Sequence, residues 1–465
     1  MAHEKLSSGE AARLLGVTPQ RVSQLAKGGI IDAELVDGRW LISREGVEER
    51  AATVSKKGGR PRTGKGRDEL SFTLMNRSHE VCDLVYNSRH RAFVKLGKFA
   101  DRDRAPIGVF GRNDISDLGS FREWWSGRGI PGTRTGIRAI LEDAGVDVPD
   151  ELVMRNLGLS LSDQYWIRPE GSGLVWESVN FFGNGFERVS EGVAPFTPSR
   201  ASSGAHPDNT SDGNLAKRWV VRRGKRVLLK GGGSSNQEPF NEVVATALHS
   251  RLLRRGEFVP YTLEGEGAEA VCACRNFLTD REEFVPALYV DKALPQRPDT
   301  SDYQHYLRCC EALGASGAEL ALAKMIVCDD VLANEDRHYR NFGLVRDVET
   351  LACRPAPIFD SGSCLWVSKT LAELERGDGG FRSKQFEPSP ARQLLLVEDM
   401  SWFDAADLDG FADEAIAILS ANKLLEERVP HIKTLLERRI ARRVDIRLWS
   451  VSSKHNGEGG AAARQ

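Results

Sequence analysis

The stretch from Met325 to Trp366, MIVCDDVLANEDRHYRNFGLVRDVETLACRPAPIFDSGSCLW, constrains this chain more than any other. An apolar, helix-like run ends in a polar loop, Asn334 to Asn341, and a strand-like segment leads on to Phe359-Asp360-Ser361-Gly362. Asp336 precedes Asn341 by five positions, and Asp360 follows Asn341 by nineteen. This is the wording of phosphoryl transfer. One carboxylate, Asp336, orients the attacking hydroxyl and takes its proton, while Asn341 and Asp360 hold Mg2+ against the phosphates of ATP. A fold that delivers such a loop must also supply a phosphate-binding lysine upstream.

Lys230 fits that demand. RWVVRR and RVLLK flank Gly224 and read as a β-hairpin whose second strand ends at Lys230, where a kinase places the lysine that meets the phosphates. EPFNEVVATALHSRLL then reads as a helix with Val243, Ala247, Leu248 and Leu252 inward. Glu242, one turn in, is placed to pair with Lys230. Its rival Glu238 sits at the helix start, where a carboxylate simply suits the dipole. AEAVCACRNFL and EEFVPALYV read as further extended segments of a nucleotide-binding sheet. Ahead of the hairpin, Thr210 to Lys217 forms a polar loop able to fold over phosphates, although the Walker A pattern is absent.

Residues 7–28 give a second signal. Ser7 with Glu10 is a capping box, and Ala11, Ala12, Leu14 and Leu15 supply one apolar face. Thr18-Pro19 starts a second helix with Val22 and Leu25 inward and Gln20, Arg21, Ser23, Gln24 and Lys27 outward. A hairpin turning at Asp37-Gly38, with Arg39 beside it, follows. Two short helices in this order suit a helix-turn-helix whose second helix reads a major groove; a small protein-interaction module is the plainer alternative. The acid-free run SKKGGRPRTGKGR then reads as a basic linker able to touch phosphates.

A net charge of −2 excludes a chain that coats nucleic acid with its whole surface. No apolar run reaches the ~18 residues of a membrane span, and the polar beginning lacks a signal-peptide core, so a cytoplasmic protein without a membrane partner is expected. The eight cysteines lack zinc-site spacing and read as buried, reduced side chains.

Lys230, Glu242, the Asp336-Arg337-His338-x-x-Asn341 loop and Phe359-Asp360-Ser361-Gly362 together resemble the HipA-type serine/threonine kinases of bacteria, as does the Leu-Ser-Leu-Ser-Asp-Gln-Tyr run at 159–165. The first fifty residues resemble excisionase and MerR-like winged helix-turn-helix domains. The resemblance implies an α+β, two-lobed protein-kinase-like fold behind a DNA-binding domain, using ATP and Mg2+ to phosphorylate a protein Ser or Thr hydroxyl. It implies a nucleotide site of Lys230, Glu242, Gly213, Lys217 and His338. Aligning the family's S-x-x-G-x-Q-x-K loop puts Thr210 on its autophosphorylated serine, with Leu215 replacing the Gln. Family members are commonly toxins restrained by an antitoxin, which makes such a partner an expectation here. The resulting division is a helix-turn-helix at 1–52, linker at 53–67, N-terminal subdomain at 68–200, small lobe at 201–300, large lobe at 301–450 and a tail at 451–465. D-R-H-x-x-N is also the wording of phosphatidylinositol-kinase-like enzymes, and a transcription regulator with a nucleotide-sensing pseudokinase half is the non-enzyme alternative. The arginines from 438 to 447 read as a solvated helix face.

Overall fold

The structure is a computed structural model and describes residues 5–15, 17–27, 31–36, 39–48, 68–109, 117–134, 137–186, 206–210 and 213–442. The expected linker at 53–67, the tail at 451–465, the Asp37-Gly38 turn and the side chains of Arg21 and Arg39 lie outside the described residues. The chain divides into two compact units, Met1–Asp68 and Glu69–Gln465.

The first unit holds β1 (Lys5–Ser7), α1 (Ser8–Leu15), α2 (Pro19–Lys27), β2 (Ala33–Val36) and β3 (Arg39–Ser43), with an antiparallel sheet in the order β1-β3-β2. The Ser7 hydroxyl accepts from the Glu10 backbone N–H at 3.3 Å, and Glu10 accepts from the Ser7 N–H at 2.9 Å, closing the capping box. Leu6, Ala11, Ala12, Val22, Leu25 and Ile42 meet in one small core. Leu14 does not join it and is exposed. At 3.6 residues per turn Ala11, Ala12 and Leu15 share an arc that leaves Leu14 to one side. On α2, Gln20, Gln24 and Lys27 are exposed. Ser23 is half-buried and its hydroxyl donates to the Pro19 carbonyl at 3.1 Å, turned back onto its own helix.

The second unit opens with β4 (Glu69–Asn76), β5 (His79–Asn87), β6 (Ala92–Phe99) and, after α3 (Leu118–Ser126), β7 (Tyr165–Pro169), in the sheet order β6-β5-β4-β7. Asp117 caps α3 by accepting from the N–H groups of Gly119 and Ser120. Phe121, Trp124 and Trp125 then pack onto Phe93 and Tyr165. Trp166, Trp176 and Phe181 form a neighbouring cluster.

The second sheet, β10-β11-β9-β8, is built from β8 (Lys217–Arg222), β9 (Lys225–Lys230), β10 (Tyr261–Glu264) and β11 (Val271–Arg275). Arg222 pairs with Lys225, so Arg223 and Gly224 make a two-residue turn, both at positive φ (49° and 74°). That is the turn whose twist matches paired strands. Helix α4 (Glu238–Leu252) follows this hairpin. It buries Phe240, Asn241, Glu242, Val244, Ala245, Leu248 and His249, whereas Val243 and Ala247 are only half-covered. The expected inward face is therefore wrong for those two residues. The helix is covered around most of its girth, and no single apolar stripe sets its orientation.

EEFVPALYV does not extend that sheet. Its first half is β12 (Glu282–Pro286), which pairs with β13 (Gly343–Asp347) and through it with β14 (Cys353–Pro355); its second half, Ala287–Val290, is a helical turn. Helices α5 (Asp302–Ala312), α6 (Ala318–Leu332), α7 (Phe411–Leu419) and α8 (429–442) are the longer helices of the remainder. α6 is almost wholly buried, including Asp329 and Asp330. Arg439 is not part of a solvated face. It is buried and grips the Asp330 carboxylate at 2.8 Å, because a carboxylate inside an apolar helix must find a counter-charge. All eight cysteines are free, and only Cys353 is not fully buried. Among the described residues, no helix is long and apolar enough to cross a membrane.

Candidate active site

One cavity of about 630 Å³ within the second unit is lined by Thr210, Gly213, Lys217, Lys230, Asp336, His338, Asn341 and Asp360, residues that come from four separate stretches of sequence. Glu242 lies behind this wall.

Lys230, at the end of β9, is 4% exposed. Its ammonium donates to Glu242 on α4 and to Asp360. Burial alone would lower the lysine's pKa, but Asp360 and Glu242 outweigh it and hold the ammonium charged. Glu242 shows the opposite balance: burial raises its carboxyl above the usual range despite Lys230. Its second oxygen accepts from the Ser361 N–H at 3.0 Å, so the glutamate links the lysine to the Asp360 loop. Burial works against the Asp360 carboxylate too, yet Lys230 and Lys217 keep its pKa far below the ordinary carboxylate range. The Lys217 ammonium stands 3.8 Å from the second Asp360 oxygen. Asp360 itself has φ 55°, a left-handed conformation that Asp tolerates better than most residues.

The Asp336 loop is shaped by its own backbone. The Asp336 carbonyl accepts from the His338 N–H at 2.8 Å and from the Asn341 amide nitrogen at 2.9 Å. The Asn341 amide oxygen takes no part in that bond. Mg2+ is bound through few protein oxygens plus phosphates, and an amide oxygen with an ionised carboxylate is a donor set that fits it. Asp336 presents its carboxylate to Lys384, 2.6 Å away.

Gly213 and Asn214 are tethered to the 133–134 segment. The Gly213 carbonyl accepts from Arg134 at 2.8 Å, and Asn214 accepts from the Thr133 hydroxyl at 2.7 Å. Gly213 sits at φ 97°, where a side chain would be strained. Thr210 is buried, and its hydroxyl donates to the Leu159 carbonyl at 2.8 Å. Away from the charges the cavity wall is apolar, with Leu228, Val259, Phe277 and Phe284. Phe277 stacks on Phe359 at 5.4 Å.

The sequence reading named Arg337 only as a letter of the motif. In the structure it is fully buried and is the centre of the loop. It meets both Asp329 oxygens at 2.9 Å, the Asn341 carbonyl at 3.0 Å, the Ser361 hydroxyl at 2.8 Å and the Phe359 carbonyl. One guanidinium thus ties α6, the Asp336 loop and the Asp360 loop together. The signal was present: Asp329 and Asp330 interrupt an otherwise apolar helix, and buried acids need cations. Lys384 gave no such signal, since nothing local distinguishes it from any surface lysine.

No protein-family model matches the chain. Over 140 residues it is 31% identical to the serine/threonine-protein kinase CtkA of Helicobacter pylori, an alignment that covers 27% of this chain and 40% of that protein. The chain therefore spans less than half the length of this curated relative. Among solved structures, the H. pylori proinflammatory kinase CtkA aligns over 51% of this chain and 95% of its own, at 18% identity and a TM-score of 0.40. The toxin–antitoxin complex of HipA and HipB with operator DNA from Shewanella oneidensis MR-1 aligns over 80% of this chain and 97% of the other, at 13% identity and a TM-score of 0.45.

Proposed function

We propose that the chain is an ATP-dependent serine/threonine protein kinase of the HipA class. The observation that carries this reading is the convergence of Lys230, Glu242 and Asp360 on the cavity that Asp336 and Asn341 also line. The sequence similarity to a serine/threonine kinase supports it. The apolar wall at Leu228, Val259 and Phe277 takes the adenine, and Lys230, held by Glu242, takes the phosphates together with Lys217 and the Gly213 backbone. Asn341 and Asp360 would hold Mg2+, which would supply neutralisation of phosphate charge. The acceptor oxygen attacks the γ-phosphorus as Asp336 receives its proton. The bond from the γ-phosphorus to the bridging oxygen breaks, and its electron pair leaves with ADP. Rate acceleration comes from alignment and electrostatics.

The test is transfer of labelled γ-phosphate in the presence of a Mg2+ titration. Wild type labels protein and Asp360→Ala does not at any Mg2+ concentration; equal labelling by both removes the proposal. Thr210 is the proposed autophosphorylation site. Labelling it requires the hydroxyl to leave the Leu159 carbonyl, and phosphopeptide mapping that places the label elsewhere rejects the assignment.

The first unit carries the second half of the proposal. Its α1–α2 pair over a three-stranded sheet is read as a winged helix-turn-helix, with the exposed Gln20, Gln24 and Lys27 and the half-buried Ser23 on the reading helix; Arg21 and Arg39 are proposed as further DNA contacts from the sequence alone. A regulatory kinase of the toxin–antitoxin kind, with an antitoxin partner and its own DNA contact, follows. Binding to the DNA upstream of its gene should fall at least about tenfold in Arg21→Ala with Gln24→Ala, since a base contact is worth ~1–3 kcal/mol; an unchanged gel shift excludes α2 as the reading helix.

A further inference from the structure

The bond between Lys384 and Asp336 has no part in the mechanism above. It joins two solvent-facing side chains, a lysine 52% exposed and an aspartate 35% exposed, and such pairs contribute little to stability. Its surroundings are not those of an ordinary surface pair. Ser383 and Gln385, on either side of Lys384, are both buried. The Gln385 amide donates to Asp329 at 2.8 Å, onto the same carboxylate that grips Arg337. The strand of chain that carries Lys384 and the loop that carries Asp336 therefore share one buried anchor. Lys384 does not itself line the cavity; its buried neighbours fix the backbone that delivers it to the Asp336 carboxylate, which does.

The cations of the loop have partners of their own away from Asp336. Arg337 points into the core. Arg340 reaches the Gly127 carbonyl, and its backbone N–H is taken by the His338 ring. Lys217 and Lys230 both serve Asp360, at the other end of the cavity.

We propose that Lys384 is a positioning residue for phosphoryl transfer. It holds the Asp336 carboxylate toward the acceptor hydroxyl and places a positive charge beside the moving phosphoryl group. An ammonium carries three donors. The Asp336 bond uses one, and the others are offered to the phosphoryl oxygens as the acceptor oxygen bonds to the γ-phosphorus and its proton passes to Asp336. The cation acts only while charge is being redistributed, so it contributes to the rate and not to nucleotide binding. This inference rests on the kinase reading of the same cavity.

The experiment compares full-length wild type with Lys384→Ala, Lys384→Met and Lys384→Arg. Two quantities are measured side by side: the rate of label transfer from γ-labelled ATP with Mg2+, and the Kd for a fluorescent ATP analogue. Loss of one charged donor at a reacting centre is expected to slow Lys384→Ala and Lys384→Met by about 100-fold. The Kd should stay within about threefold of wild type, and Lys384→Arg should recover to within about tenfold of the wild-type rate. Transfer by Lys384→Ala and Lys384→Met within about twofold of wild type overturns the proposal and leaves a surface ion pair. A Kd that weakens in step with the rate overturns it too, by moving Lys384 to nucleotide binding. Failure of the wild type itself to transfer label is a different result: it removes the kinase reading, and this inference with it.

Discussion

The two ends of the cavity are built on opposite principles. Around Lys230 and beneath both loops the charges are buried: Lys230, Glu242 and Arg337 with Asp329, all under 5% exposed. At the open end Asp336 meets Lys384 in contact with water. Buried ions are held in place by what it would cost to leave any one of them alone, so that end is rigid and its parts cannot be removed singly. Exposed ions are held weakly and can give way to an incoming group. On the proposed kinase reading, the first suits a nucleotide held in place and the second an acceptor that varies.

Breaking the buried end should be the most damaging change. Arg337→Ala leaves the Asp329 carboxylate unpaired in the core and is expected to cost about 3–5 kcal/mol, read from urea denaturation. Pairing Arg337→Met with Asp329→Leu should recover part of that loss, since no lone charge remains. Equal losses in the single and double variants would show that shape, not charge, holds the loop.

A smaller effect comes from His249, buried on α4 beside Phe258. Burial, aided by Arg337, lowers its pKa to about 3. The unfolded chain takes up this proton below about pH 6.5 and the folded chain does not. Its share of stability is thus intact above pH 6.5 and shrinks as pH falls toward 3, by about 1.4 kcal/mol per pH unit. His249→Leu should flatten the stability–pH curve by that slope between pH 6 and 4; an unchanged slope places the acid-labile group elsewhere.

Least of all should follow at the open end. Lys384→Ala is expected to change stability by less than about 1 kcal/mol. A larger loss in thermal or urea unfolding would mean that the two ends are not built differently after all.

The same contrast explains what the sequence made legible. Lys230 closes a short apolar strand, and Glu242 lies one turn into the helix that follows the 231–237 loop, so their meeting is an expectation of the sequence, with Glu238 as the rival. The motif letters of the Asp336 loop and Phe359-Asp360-Ser361-Gly362 were equally readable. Contacts that depend on distant segments were not. Arg439 reaches Asp330 across more than a hundred residues, and Lys384 reaches Asp336 across forty-eight. Neither cation differs locally from an ordinary surface charge. β12 was misassigned for the same reason: an isolated extended run does not say which sheet it joins, and its partners at 343–347 and 353–355 lie far downstream. β1, only three residues long in a polar stretch, has no periodicity to detect.

The central claim is that the open end performs the chemistry for which the buried end holds the nucleotide. Asp336→Asn separates the two most directly, because it keeps the shape of the loop and removes the proton acceptor. In single-turnover experiments with γ-labelled ATP and Mg2+, Asp336→Asn should bind nucleotide with a Kd within about threefold of wild type while label transfer falls by at least about 100-fold. Transfer at the wild-type rate by Asp336→Asn would contradict the account.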